Sequence, residues 1–161
     1  MPAFNVITVG GTIDKVYFDA ASQFEIGDPQ IHRVLAGAGV VDFVVTPLMR
    51  KDSLQMDDTD REAVRQAVLA SACDRVLVTH GTDTMALTAR HLGDVGARTV
   101  VFTGAMQPAR FHETDAIFNI GFALGTLMSA APGVYLTMNG RVFDPHKVRK
   151  NRDQGRFEDA G

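Results

Sequence analysis

Cysteine is almost missing from this chain: Cys73 is the single one among 161 residues, so no intrachain disulfide can form and a disulfide-stapled scaffold is excluded. A reducing compartment, the cytoplasm, is the expected location, and Met1-Pro2-Ala3-Phe4 lacks the basic flank and long apolar run of a secretory signal. Positive charge is also scarce. The 16 Lys and Arg residues are outnumbered by 19 Asp and Glu, giving a formal net charge of −3. That balance excludes the basic footprint needed to wrap nucleic acid or to bind an anionic membrane, and leaves small molecules as the expected partners. The histidines, His32, His80, His91, His112 and His146, never fall at metal-ligand spacing and have no cysteine cluster beside them, so no catalytic metal is expected. Internal repeats, low-complexity stretches and linkers are lacking too.

What remains is an ordinary globular composition, 45% hydrophobic and 22% charged, in a length that suits one domain. Five apolar runs read as strands: Phe4 to Val9, Val40 to Thr46, Arg75 to Thr79, Arg98 to Thr103 and Val134 to Met138. They are nearly continuous rather than alternating, the pattern of parallel strands covered on both faces. Helical patterns lie between them, at about Pro29–Ala38, Asp60–Ala72, Asp83–Leu92 and Thr114–Ala131. Thr59-Asp60-Arg61-Glu62 has the form of a capping box and predicts the second helix start. Such alternation implies an α/β fold with a doubly wound, mostly parallel sheet.

Ala116 to Gly140 contains no charged residue, a run of 25 that would be long enough to span a bilayer as one helix. Pro132-Gly133 interrupts it, so the run reads as a buried helix, a turn and a buried strand. The helix lacks a polar face, which predicts burial on both sides and a homo-oligomer, a dimer or higher. The charged segment from Arg152 to Gly161 reads as a frayed or crossing arm. Residues 1–150 are thus expected to form the working domain and residues 151–161 a charged tail.

In open α/β sheets ligands sit beyond the carboxyl ends of the strands, and each strand here is followed by a glycine-bearing or polar motif. These are Gly10-Gly11-Thr12, Asp52-Ser53, His80-Gly81-Thr82-Asp83-Thr84, Thr103-Gly104-Ala105-Met106 and Asn139-Gly140. Gly10-Gly11-Thr12 fits either a tight turn or a loop bringing backbone N–H groups to a ligand; it lacks the later glycine of a dinucleotide fingerprint, so no nicotinamide or flavin cofactor is expected. Thr82-Asp83-Thr84 fits either a helix cap or a binding site, its carboxylate suited to an ammonium and the free N–H groups of the helix start to a carboxylate. An amino acid carries both charges.

Taken in order, Gly10-Gly11-Thr12-Ile13, Asp52-Ser53 with Met56, His80 to Thr84, Thr103 to Met106 with Pro108, Asp115-Ala116 and Asn119, and Met138-Asn139 with Val142, Asp144 and Lys150 resemble the bacterial-type L-asparaginases. The resemblance runs from about Val6 to Lys150. It implies hydrolysis of the asparagine side-chain amide through a threonine acyl-enzyme, without a cofactor. Thr12 resembles the nucleophilic threonine, Tyr17 the assisting lid tyrosine, and Thr82, Asp83 and Lys150 the family's second threonine, acid and lysine. Ser53 and Asp83 resemble the residues holding the substrate α-carboxylate and α-ammonium, with Gly11, Asp52 and the backbone at Ala105 nearby in the substrate site.

Chemistry agrees with these roles, since a threonine hydroxyl is a poor nucleophile until a neighbour takes its proton. Familiar members continue into a smaller C-terminal domain, and the chain looks like the short, single-domain form typified by the Rhodospirillum-type asparaginases. Weaker substrate binding than in long members is the expectation. A non-catalytic amino-acid sensor would need Ser53 and Asp83 but not Thr12, Thr82 and Lys150; an ammonia-releasing component of an amidotransferase is the other alternative.

Overall fold

The computed structural model describes residues 1–17 and 24–161, without the side chain of Tyr17. Along the chain run β1 (Phe4–Gly10), a 3-10 turn (Thr12–Asp14), β2 (Lys15–Tyr17), β3 (Phe24–Ile26), α1 (Ile31–Gly37), β4 (Phe43–Lys51) and a second 3-10 turn (Ser53–Gln55). There follow α2 (Asp58–Ala70), β5 (Arg75–Thr79), α3 (Met85–His91), β6 (Thr99–Thr103), α4 (Ala116–Ser129), β7 (Gly133–Met138), β8 (Arg141–Phe143), β9 (Val148–Asn151) and β10 (Arg156–Asp159). The main sheet has the order β4-β1-β5-β6-β7-β8, parallel except for β8. β2 with β3, and β9 with β10, form separate antiparallel hairpins.

Every residue of β1 is buried, and successive residues feed opposite layers. Ile7 and Val9 pack with Val64 and Val68 of α2 and Met85 and Leu92, while Phe4 and Val6 pack with Ile31 and Leu35 of α1 and Ile120 and Leu127 of α4. The two-residue period of a strand thus puts an apolar layer on each face, which accounts for the unbroken hydrophobic runs.

Three expectations needed correction. The second strand starts later and runs further than Val40 to Thr46, because Asp42 turns at φ 61 and β4 then continues through Pro47. β4 is an edge strand paired only with β1, where a proline is tolerated. The capping box lies two residues earlier than predicted: the Asp57 carboxylate accepts the Asp60 N–H at 2.9 Å, and the Asp60 carboxylate accepts the Asp57 N–H at 3.1 Å. Aspartate caps as well as threonine, and Asp60 is fixed further by Lys51 at 2.8 Å.

The segment beyond Arg152 does not fray. It turns back as β10, burying Phe157 beside Met138, Phe143 and Val148, and the Phe157 N–H donates to Asn139 Oδ1 at 2.8 Å. Within the single chain α4 buries one face, through Ala116, Asn119, Ile120, Ala123 and Leu127, and Ile117, Phe118 and Met128 of its other side are exposed. Among the described residues no helix is long and apolar enough to cross a membrane.

The cap assignment is testable by urea denaturation. Asp57→Ala is expected to cost about 1 kcal/mol of stability, whereas Thr59→Ala, an exposed position inside the first helical turn, should stay within about 0.5 kcal/mol.

Candidate active site

The strand order reverses between β4 and β5, on either side of β1, so the crevice expected at a topological switch point opens beyond the carboxyl ends of β1 and β5. Two glycines let the loops there close up. Gly11, at φ 87, lies so near the backbone of Gly81 that a Cβ would overlap it, and a Cβ on Gly81 would stand 2.7 Å from Ser53 Cβ. The loops after β1, β4 and β5 therefore meet backbone to backbone. Gly11, Ser53 and Thr82 arrive together.

The loop after β5 divides its polar groups between two tasks. Thr84 occupies the cap position of α3; its N–H donates to Ser53 Oγ at 3.2 Å and its hydroxyl to the Ser53 carbonyl at 2.8 Å. Thr84 and Ser53 thus tie the start of α3 to the second 3-10 turn, and among the described residues no side chain caps the helix N–H groups. Thr82 and Asp83 are left for Lys150, whose ammonium donates to Thr82 Oγ1 and to Asp83 Oδ1, each at 2.8 Å. Lys150 sits on β9, 68 residues from Thr82, and reaches it because the β9–β10 hairpin is tied to Asn139 at the end of β7. Arg152 adds a second cation, its Nε 3.3 Å from Asp83 Oδ1.

Thr12 lines a hollow with Lys15, Met106, Pro108 and Phe111. Lys15 Nζ stands 4.0 Å from Asp52 Oδ2, while Asp52 Oδ1 accepts the Leu54 N–H and caps the second 3-10 turn. Ala105 is buried in a loop clamped from α4 and the residue before it: Asn119 Nδ2 donates to the Gly104 carbonyl at 2.9 Å, and the Asp115 carboxylate accepts the Met106 and Gln107 N–H groups. The Ala109 N–H donates to the Ile13 carbonyl at 3.0 Å and joins this loop to the Thr12 turn. Tyr17 pairs with Phe24 in the β2–β3 ladder; its side chain, and with it the lid role, lies outside the described residues.

Two buried ionisable groups escaped the sequence reading. His80 is fully buried, its Nδ1 2.7 Å from the Gly81 carbonyl and its Nε2 2.8 Å from Thr88 Oγ1. A carbonyl only accepts, so Nδ1 carries the proton and Nε2 accepts from Thr88. Burial pushes the imidazole down to about 4, so His80 is a neutral ring that fixes the Gly81 peptide. Asp14 is buried as well, accepting the Gln30 N–H at 2.9 Å, and burial pushes its carboxyl up to about 6 despite that bond and the field of Arg50. Both lie inside or beside the glycine motifs, and only their burial sets them apart. Among the described residues, no three His, Cys, Asp or Glu side chains gather into a metal-binding group.

The two shifts act on stability in opposite directions. Asp14 is pushed up from 3.8, so its contribution is full below that pH and is lost as pH rises through about 6. His80 is pushed down from 6.5, so its contribution is full above that pH and is lost as pH falls through about 4. Asp14→Asn keeps the oxygen that Gln30 needs and removes only the first effect. The variant should gain about 2–3 kcal/mol at pH 7, at about 1.4 kcal/mol per pKa unit, and nothing at pH 4. Urea midpoints across pH 4–7 check this; a variant no more stable at pH 7 would show that the ionised carboxylate is already compensated.

The family model described as Asparaginase, N-terminal matches residues 4–157. A glutamyl-tRNA(Gln) amidotransferase component of Thermoplasma acidophilum is 28% identical over 151 residues, covering 88% of this chain and 36% of the relative. L-asparaginase of Bacillus licheniformis is 28% identical over 156 residues, covering 90% of this chain and 48% of the relative. The thermostable L-asparaginase from Thermococcus kodakarensis superposes with a TM-score of 0.86 at 24% identity, covering 97% of this chain and 50% of that one. The chain thus spans half or less of the length of these relatives. With its motifs gathered at the switch point of the matching fold, the chain belongs to the asparaginase family and corresponds to that family's N-terminal domain.

Proposed function

We propose that this chain hydrolyses the side-chain amide of L-asparagine to L-aspartate and ammonia through a threonine acyl-enzyme. The observation that carries the reading is the contact of Lys150 with both Thr82 and Asp83, which joins a lysine amine, a hydroxyl and a carboxylate from distant parts of the chain. A binding protein has no need of a lysine held on a buried hydroxyl. Thr12 is the nucleophile: it opens onto the hollow beside Lys15 and Met106, while the Thr82 hydroxyl is already engaged by Lys150.

In the first step Thr12 Oγ attacks the amide carbon, the C–N bond breaks, and the hydroxyl proton ends on the departing nitrogen, which leaves as ammonia. Water then adds to the ester, returns a proton to Thr12 Oγ and releases L-aspartate. Thr82 and Lys150 move these protons. Backbone N–H groups at Gly11–Thr12 and Thr82 hold the developing oxyanion, each such donor being worth roughly 3 kcal/mol. Ser53 and Asp83 orient the amino acid, with Gly11, Asp52 and the Ala105 carbonyl around it. Tyr17 assists from the β2–β3 hairpin.

The working unit is residues 1–150 together with the segment that follows, since β10 holds the strand bearing Lys150. The exposed Ile117, Phe118 and Met128 face of α4 meets a second copy, and sedimentation showing only monomer at micromolar concentration would oppose this. The free, buried thiol of Cys73 accords with a cytoplasmic location. The Thermoplasma relative favours a second reading, an ammonia-releasing component of an amidotransferase.

Ammonia release from L-asparagine by the purified chain, with no partner added, decides between them. Thr12→Ala and Thr82→Val should abolish release, and Lys150→Met should lower kcat by about 10²–10⁴ with much less effect on binding. A wild-type chain that binds asparagine but releases no ammonia would refute catalysis by this chain alone.

A further inference from the structure

We infer that the hollow beside Thr12 receives an apolar group carried on the nitrogen of the scissile amide, which extends the substrates of this site from L-asparagine to β-amides of L-aspartate bearing a small ring. The inference rests on the amidohydrolase reading proposed above. The hollow measures about 260 Å³, and Thr12, Phe24, Met106, Pro108 and Phe111 stand in its lining. That is just short of the roughly 300–1,000 Å³ that hold a drug-sized ligand, so a single ring fits. The nitrogen of asparagine itself carries only hydrogens and leaves this space unused.

Two connections put the hollow on the leaving-group side of the amide. Thr82 Oγ1 donates to Met106 Sδ at 3.8 Å, and Thr82 is the hydroxyl that with Lys150 moves the proton to the departing nitrogen. Met106 also follows Ala105, whose carbonyl the proposed site sets against the substrate. Among the described residues, Ser53 and Asp83, which orient the amino-acid end, do not line the hollow. An amino acid held by that end, with its amide carbon at Thr12, therefore points its nitrogen, and whatever the nitrogen carries, toward Met106.

The lining is suited to a ring. Phe24 and Phe111 stand with ring centroids 5.9 Å apart and planes tilted by 56°, and both side chains are exposed although they flank the nucleophile. A third ring adds to such a pair edge to face, and its burial removes apolar surface from water. The wall is built in advance. Asp115 accepts the Met106 and Gln107 N–H groups, the Ala109 N–H donates to the Ile13 carbonyl, and the Phe111 N–H donates to the Pro108 carbonyl, the last two at 3.0 Å. Turnover keeps its steps and changes only the leaving group: Thr12 Oγ bonds to the amide carbon, the C–N bond breaks, the hydroxyl proton ends on the nitrogen and a primary amine departs. Water then hydrolyses the ester to L-aspartate and restores the threonine.

The probe is the β-benzylamide of L-aspartate, compared with L-asparagine and with the β-hydroxyethylamide, which also substitutes the nitrogen but brings little apolar surface. In calorimetry with Thr12→Ala, which removes the attacking hydroxyl, the benzylamide should bind about tenfold tighter than either. The wild type should release benzylamine and L-aspartate from it. Phe111→Ala should raise KM for the benzylamide about fivefold more than for L-asparagine. A benzylamide that binds no tighter than L-asparagine, equal binding of the hydroxyethylamide, or equal loss of both substrates in Phe111→Ala would overturn the inference, as would a wild type that releases ammonia from L-asparagine but no benzylamine. Tighter benzylamide binding that depends on Phe111, with neither amine nor ammonia released, would remove the amidohydrolase reading and leave the hollow standing as an apolar binding site.

Discussion

The backbone of Gly11 rests on that of Gly81, and the loop of Gly81 rests in turn on Ser53, with no space for a single added methyl group at either glycine. This contact sets how near the ends of β1, β4 and β5 come to one another. Thr12 follows the first glycine and Thr82 the second, so the two hydroxyls are placed by main chain rather than by flexible side chains. His80 reinforces the arrangement from beneath, its neutral ring holding the Gly81 carbonyl and leaning on Thr88. The cost is a buried imidazole that gives up its proton far below its ordinary range.

The second requirement is met by a piece of chain outside the main sheet. Lys150 lies on a two-stranded hairpin, and what brings it to Asp83 is the link from Asn139 to Phe157 together with the burial of the Phe157 ring. Asn139, at φ 56, stands at the turn leaving β7. A local feature of one strand end therefore governs a contact between residues 67 positions apart. The loop bearing Ala105 is fixed similarly, by Asp115 and Asn119 at the start of α4.

Much of this was legible in the sequence because the parallel strands are buried on both faces and need unbroken apolar runs. Thr12, Thr82 and Asp83 stand in the motifs that follow the strands, Lys150 is marked out only by the resemblance to the asparaginases, and the fold brings the last three into contact. The rest depended on information that composition does not carry. β4 runs through Pro47 because it is an edge strand, a property of sheet order. Asp57 and Thr59 both fit a cap template, and the contact of Lys51 with Asp60 accompanies the earlier choice. β10 was masked by its charges, since only Phe157 of its four residues is buried. Asp14, His80 and Arg152 became distinctive through burial or through a partner far along the chain.

The edge position of β4 also bears on how the molecule behaves at high concentration. A bare sheet edge invites a strand from another chain, and β4 is long enough to serve as a template. Pro47 offers no N–H at the middle of that edge, and Arg50 and Lys51 place like charges at its end. At the opposite border, β8 spans only three residues, from Arg141 to Phe143. One border is interrupted and the other is short, so the sheet resists growth into fibrils by strand addition.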